Sequence, residues 1–98
     1  VFMIAYAIKD IPTAIRIFYE YPEIGNKEIR ELFGGGSKSS IFHIKKLAEA
    51  KMAEKGVKSF TSYHVNTKCA YEAWGIDVDD LEKRYLKLKK LGMAPGQA

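Results

Sequence analysis

The amino-acid sequence predicts an all-α, or nearly all-α, fold with a three-helix core followed by two further helices. Apolar residues recur at three- and four-residue spacing through most of the chain, which is the period of a helix with one buried face. Glycine or proline separates these periodic segments, and residues that commonly cap helices stand before them. With 98 residues, of which 47% are hydrophobic and 29% charged, residues 1–98 are expected to form a single domain.

The first predicted helix covers residues 11–21. Asp10 is a suitable cap, and Pro12 is tolerated in a first turn because its missing N–H would have no helical partner there. Pro22 ends the helix, since the residue before a proline is disfavoured in the helical region. Residues 1–8 are ambiguous between a strand and the first turns of a buried helix. The expected buried stripe is Ile11, Ala14, Ile15 and Phe18, with Ile17 and Tyr21 on its flank.

Two more helices flank a run of three glycines at residues 34–36. The shorter is predicted over residues 27–33 with Asn26 as its cap, and the longer begins after Ser37 and ends at Gly56. One glycine serves as a left-handed stop, and the others let the chain turn sharply. These helices complete the core at residues 11–55. Their expected buried side chains are Ile24, Ile29, Leu32, Phe33, Ile41, Ile44, Leu47, Ala48 and Met52.

The remaining chain is predicted to hold two helices within residues 67–91. Residues 57–65 are β-branched and aromatic, and they indicate either one arm of a small wing or an irregular connector. No second arm is evident, so the wing is expected to be reduced or absent. A cap at Asn66 or Thr67 starts the first of the two helices, which extends to Trp74, and a cap at Asp77 starts the second.

The last helix carries an apolar seam that either braces the first helix or forms a homodimer surface. Its members are Val78, Leu81, Tyr85 and Leu88, and Trp74 has the same two possible roles. The tail at residues 93–98 is expected to be flexible.

The net charge of +4 is concentrated in one part of the chain. Residues 37–68 carry seven lysines against Glu49 and Glu54, a balance of +5, whereas the charges of residues 1–30 and of residues 69–98 each sum to zero. A localised basic surface of this kind attracts polyanions, although a solvated lysine-rich helix face is an equally good interpretation of charge alone.

A short helix, a glycine turn and a longer basic helix form the sequence pattern of a helix-turn-helix. The second helix of such a motif enters the major groove of DNA with its N-terminal half. Short polar side chains permit a close approach, longer side chains contact bases, and lysines contact phosphates. The residues expected to bind DNA are Ser37, Lys38, Ser39, Ser40, Phe42, His43, Lys45 and Lys46. Phe42 and His43 are placed for base contacts, and Lys45 and Lys46 for phosphates.

The stretch NKEIRELFGGGSKSSIFHIKKLAEAK resembles the second and third helices of bacterial helix-turn-helix and winged-helix regulators of the MarR and ArsR kind. The matching parts are NKEI, SKSSI and KKL, and the resemblance covers residues 11–55, about half the chain. It implies that residues 37–46 form the recognition helix and that the core contains Ile29, Leu32, Ile41, Ile44 and Leu47. The glycine turn is one residue longer than the tightest form of the motif. The small size suggests a regulator of the kind carried on bacterial mobile elements.

Other classes of function have less support in the sequence. The glycine run lacks the phosphate-loop pattern, because Leu32 and Ser37 stand where that pattern needs glycine. His43 and His64 are far apart, and the single Cys69 offers neither a disulfide nor metal-ligand spacing, which suits a reducing cytoplasm. The apolar start is too short to span a bilayer. We therefore expect a cytoplasmic, non-catalytic protein with no cofactor, no metal and no membrane partner.

Two alternatives to duplex DNA binding remain open at this point. The same helices are suitable for a protein-interaction module that docks a partner through its basic and aromatic face, with Phe42 or Trp74 as anchors. Binding of single-stranded nucleic acid is the other, with Phe42, Phe60 and Tyr63 as stacking platforms.

Overall fold

The computed structural model describes residues 8–92, which fold into five helices and a two-stranded antiparallel sheet. The predicted mainly helical class is thus confirmed for this range. The expectations for residues 1–7 and for the tail at residues 93–98 lie outside the described residues. The elements in chain order are α1 (Ile11–Glu20), β1 (Glu23–Ile24), α2 (Asn26–Phe33), α3 (Lys38–Lys55), β2 (Val65–Asn66), α4 (Thr67–Ala73) and α5 (Val78–Lys90).

Four helices begin at the residues that the sequence predicts. In each, the side chain of the capping residue accepts a hydrogen bond from the backbone N–H three residues further on. The capping residues are Asp10, Ser37, Asn66 and Asp77. Gly34 and Gly56 end α2 and α3 with φ of 75° and 69°, the left-handed conformation that glycine adopts without steric cost.

Helix α2 begins one residue earlier than predicted. Gly25 is its cap, Asn26 is already helical, and the carboxylate of Glu28 accepts a hydrogen bond of 2.8 Å from the Gly25 N–H. The prediction that Asn26 caps this helix is therefore wrong. A side chain at position 25 would also crowd the chain, because a Cβ there would lie 3.2 Å from Cδ2 of His64.

The sheet joins the segment before α2 to the segment after α3. Glu23 pairs with Asn66 and Ile24 with Val65, and the side chains of Ile24 and Val65 are fully buried. The expected wing arm is thus reduced to β2, and its partner precedes α2, where the sequence pattern does not predict a strand. A strand of two residues is too short to show the alternation that identifies strands. In the described range the residues between α3 and β2 form an irregular loop.

The core runs along one line of α3 and is closed by the other helices and the sheet. Two expectations about it are wrong. Leu47, which the sequence predicts to be buried, is 41% exposed, because it is turned about 100° from its buried neighbour Ala48. Ile17, which the sequence predicts on a flank, is fully buried, since α1 packs against both α2 and α5. The buried hydrophobic residues are Ala14, Ile17, Ile24, Ile29, Leu32, Ile41, Ile44, Ala48, Met52, Val65, Cys69, Ala70, Tyr71, Trp74 and Val78.

Helix α4 links α3 to α1 through two buried aromatic side chains. The indole Nε1 of Trp74 donates a hydrogen bond of 2.8 Å to the Ile44 carbonyl, and the Tyr71 hydroxyl donates one of 2.7 Å to the Ala14 carbonyl. Both side chains are therefore satisfied inside the core. Val78, the first residue of the predicted seam, is also buried, and α5 packs along α1. Trp74 and Val78 therefore pack inside the protomer and are not exposed to a second copy.

Replacement of Tyr71 by phenylalanine is expected to change how stability depends on pH. Burial raises the pKa of the Tyr71 hydroxyl, and the charge of Arg16 opposes this shift only in part. Above pH ~10 the unfolded chain loses this proton while the folded chain keeps it, so the stabilisation is complete below pH ~10 and declines as the pH rises. Tyr71→Phe should cost about 1 kcal/mol at pH ~8. As the pH rises from ~9 to ~11, the free energy of unfolding measured in urea should fall less for Tyr71→Phe than for the unmodified chain. An equal fall in the two proteins would contradict this prediction.

Every helix within residues 8–92 is too short or too polar to cross a bilayer.

Candidate nucleic-acid interface

Helices α2 and α3 pack against each other across the glycine turn. Ile29 and Leu32 of α2 and Ile41 and Ile44 of α3 are all buried. The Gly35 N–H donates a 2.7 Å hydrogen bond to the carbonyl of residue 30, which closes the end of α2. The chain then passes through exposed residues 34–37 and starts α3 on the protein surface. The N-terminal half of α3 is consequently both anchored from behind and accessible in front.

The predicted site residues lie together on this half of α3. Six of their side chains are exposed and two are half-buried. The exposed side chains are those of Ser37, Lys38, Ser39, Phe42, His43 and Lys46, and the half-buried ones are those of Ser40 and Lys45. The helix period therefore assigned the outward face of α3 well, and it did so without knowledge of what packs behind the helix.

The three serines at the start of α3 have different surroundings. Ser37 Oγ accepts a hydrogen bond of 3.1 Å from the Ser40 N–H, and the Ser37 and Ser40 hydroxyls also lie 3.1 Å apart. These two hydroxyls are therefore engaged in capping the helix. Ser39 and Lys38 have no ion pair or side-chain hydrogen bond within residues 8–92, so both can meet a ligand without first losing a partner.

Phe42 is the exposed aromatic side chain of this half of α3. Its side chain is 56% exposed, the Nζ of Lys46 lies 5.1 Å from its ring centroid, and the His43 ring is edge-on at 6.0 Å. The same Nζ lies 3.3 Å from a carboxylate oxygen of Glu49. This ion pair is at the surface and is weak, so the ammonium of Lys46 can exchange Glu49 for a phosphate at little cost.

Lys45 has a role that the sequence did not reveal. Its Nζ donates a hydrogen bond of 2.7 Å to the backbone carbonyl of Tyr63, in the loop between α3 and β2. The ammonium is thus directed at the loop instead of at solvent. We infer that Lys45 positions the loop beside α3 in the unbound protein, and that Lys38 and Lys46 are the more available cations of this helix.

A groove of about 340 Å³ separates the start of α2 from the exposed face of α3. Asn26 and Arg30 line it from α2, one helical turn apart. The site predicted from the sequence begins at Ser37 and therefore misses both residues, although their spacing of four was the available signal. The rest of the lining comes from α3: Lys38, Ile41, Phe42, Lys45, Lys46 and Glu49.

The basic charge of α3 is balanced at its C-terminal end but not at its N-terminal end. Glu72 of α4 lies 3.9 Å from Lys51 and 2.5 Å from Lys55. The hydrogen bond from Lys55 lowers the pKa of the Glu72 carboxyl, so that this acid stays ionised and keeps compensating the two lysines. The surplus positive charge is therefore displaced towards the N-terminal half of α3, where the exposed face lies.

The loop of residues 57–64 stands next to this face and exposes two aromatic rings. Phe60 is 93% exposed and Tyr63 is 76% exposed. The loop is held at its base, because Glu23 accepts a hydrogen bond of 2.8 Å from the Phe60 N–H and the Thr61 hydroxyl lies 2.7 Å from Nδ1 of His64. The exposed rings are thus carried on an anchored loop.

A metal or thiol site is not apparent in the described part of the chain. No group of three His, Cys, Asp or Glu side chains there is arranged to hold a metal ion. Cys69 is a buried thiol in α4. A search for similar proteins among family models, curated proteins and solved structures finds no match for this chain.

Proposed function

We propose that this chain is a small, non-catalytic helix-turn-helix protein that binds double-stranded DNA with sequence selectivity. The observation that carries the proposal is the N-terminal half of α3. This half is exposed and begins with short polar side chains. Within residues 8–92, its lysines are not paired with an acid from another helix. The packing of α2 against α3 behind this half supports the same motif.

The dimensions of α3 suit the proposed partner. A helix with its side chains is about 10–12 Å wide, and the major groove of DNA is about 12 Å wide, so α3 fits with its exposed face towards the bases. In this orientation Ser39 and His43 are placed for base edges and Phe42 for a thymine methyl group. Lys38 lies at the side of α3, Lys46 lies about two turns further along it, and Arg30 lies on the neighbouring α2, so all three are placed for phosphates.

An alternative function is the docking of a protein partner on the same face. The exposure of Phe42 and Leu47 on α3 favours it, because exposed apolar side chains are frequent anchors of protein interfaces. Trp74, the other anchor considered from the sequence, is buried in the core and is not available. The two functions differ in how strongly binding responds to salt.

The test is fluorescence anisotropy of a labelled random duplex pool, titrated with the protein at several salt concentrations. If Arg30, Lys38 and Lys46 each displace one counterion, affinity should fall roughly forty-fold between about 50 and 200 mM salt. Sequences selected from the pool should bind more tightly than the pool itself. Absence of binding at about 50 mM salt, or binding that does not respond to salt, would contradict duplex DNA binding. Equal affinity for a single-stranded pool would favour the stacking alternative instead.

A further inference from the structure

The face formed by α1 and α5 shares no residue with the exposed half of α3 and carries an apolar groove. The two helices pack side by side, and the Tyr19 hydroxyl donates a hydrogen bond of 2.5 Å to the Glu82 carboxylate. A groove of about 380 Å³ lies between them. Its lining is Pro12, Ile15, Arg16, Glu82, Tyr85 and Leu86.

Leu86 projects from the edge of this groove and is 60% exposed. It is not part of the seam predicted from the sequence, whose first member is buried in the protomer core. Pro12 and Ile15 form an apolar strip in the groove, which is the hole, and the exposed side chain of Leu86 at its edge is the knob. A surface with both a knob and a hole can pack against a second copy of itself, each knob entering the partner's hole.

The charges along α5 indicate how two copies would be oriented. Asp79 and Asp80 lie in its first turn, and Lys87, Lys89 and Lys90 lie in its last turn. Two parallel copies would place like charges together. Two antiparallel copies place the acidic end of each helix against the basic end of the other, which also agrees with the helix dipoles.

We propose that the α1–α5 face is a self-association surface, on which a second copy of this chain packs with its α5 antiparallel. In this arrangement Leu86 of each copy enters the partner's groove, and Asp79 faces Lys90 of the other copy across a two-fold axis near the middle of α5. The interface is isologous and closes as a dimer. It is independent of the proposed DNA binding, since the α1–α5 face and the exposed half of α3 share no residue.

The size of the face sets the expected affinity. A helix of 13 residues is about 20 Å long, and two neighbouring helices present a width of about 20 Å, so each copy offers roughly 400 Å². The two copies together would bury roughly 800 Å², which is below the size of stable specific interfaces and corresponds to a weak, transient contact. We therefore expect a weak dimer with a dissociation constant on the order of 100 µM.

Sedimentation velocity from about 1 to about 300 µM tests the proposal, and the unmodified chain should shift from monomer to dimer over this range. Leu86→Glu should remain monomeric throughout, because it puts a carboxylate into the apolar groove. The matched control is Leu91→Glu, at an equally exposed leucine (59%) turned about 140° away around α5, and it should dimerise normally. A monomeric unmodified chain, or equal behaviour of the two variants, would overturn the surface.

Charge reversal tests the orientation separately. Asp79→Lys and Lys90→Asp should each weaken the dimer about ten-fold or more, since each places like charges together. The chain with both changes should recover most of the affinity, because the ion pairs re-form with their signs exchanged. Failure of the double variant to recover, with circular dichroism showing an intact helical fold, would overturn the antiparallel arrangement.

Discussion

Replacing Lys38 and Lys46 with alanine is expected to weaken duplex binding about ten- to one hundred-fold at about 150 mM salt. Each lysine is expected to make one phosphate contact, and charge-assisted contacts of this kind are worth about 1.5–3 kcal/mol before solvent screening reduces them. The slope of log affinity against log salt should become shallower by about 2, since two fewer counterions are released. Lys45 is left unchanged because its ammonium holds the Tyr63 carbonyl. Anisotropy titrations of both proteins across the same salt series measure both effects.

The matched control removes the same charge from another part of the surface. Lys68 and Lys87 are exposed and lie on α4 and α5, so their replacement by alanine lowers the net charge equally without changing α3. This control should bind within about two-fold of the unmodified chain if the contacts are local. Equal losses in the two double variants would show that only total charge matters, and the assignment of the interface to α3 would then be wrong.

The elements that the sequence predicts best are those whose signals are local. The cap at Ser37, the stop at Gly56 and the three- and four-residue spacing between them identify α3 without any knowledge of the fold. The outward face of α3 follows from the same period, except at Leu47, which is predicted to be buried and is exposed. Most of the predicted site could therefore be assigned from one helix alone.

The elements that the sequence does not predict depend on contacts between distant segments. The pairing of Ile24 with Val65 joins residues 41 positions apart in strands of two residues, which leave no periodic signal. This pairing fixes Gly25 against His64 and moves the start of α2 back by one residue. In the same way, the role of Lys45 depends on where the distant Tyr63 carbonyl lies. Such features require the fold to be known.

The role of Trp74, in the core or at an interface, depends on the elements that surround it. An aromatic residue near the end of a predicted helix is compatible with a protein interface or with the core. The structure places Trp74 behind α3, with its ring 5.3 Å from that of Phe33 and 6.1 Å from that of Tyr71. Its hydrogen bond ends at Ile44, which follows His43 of the exposed face. Trp74 therefore holds the proposed recognition helix from the inside.

Trp74→Ala is consequently expected to be among the most destabilising single replacements in this chain. Truncating a buried tryptophan removes its packing and leaves a cavity, which costs about 3–5 kcal/mol. A domain of this size is stable by only about 5–15 kcal/mol, so its melting temperature should fall by roughly 12 °C or more. Guanidinium unfolding and differential scanning calorimetry measure the two quantities.

Two further variants separate packing from the hydrogen bond. Trp74→Phe keeps an aromatic ring but loses the bond to the Ile44 carbonyl and part of the volume, so we expect a smaller loss of about 1–3 kcal/mol. Phe60→Ala truncates an aromatic ring that is 93% exposed, and it should change stability by less than about 0.5 kcal/mol. If Trp74→Ala lost as little stability as Phe60→Ala, α4 would not hold α3 in place. The packing behind α3 on which the proposed interface relies would then have to come from α2 and the sheet.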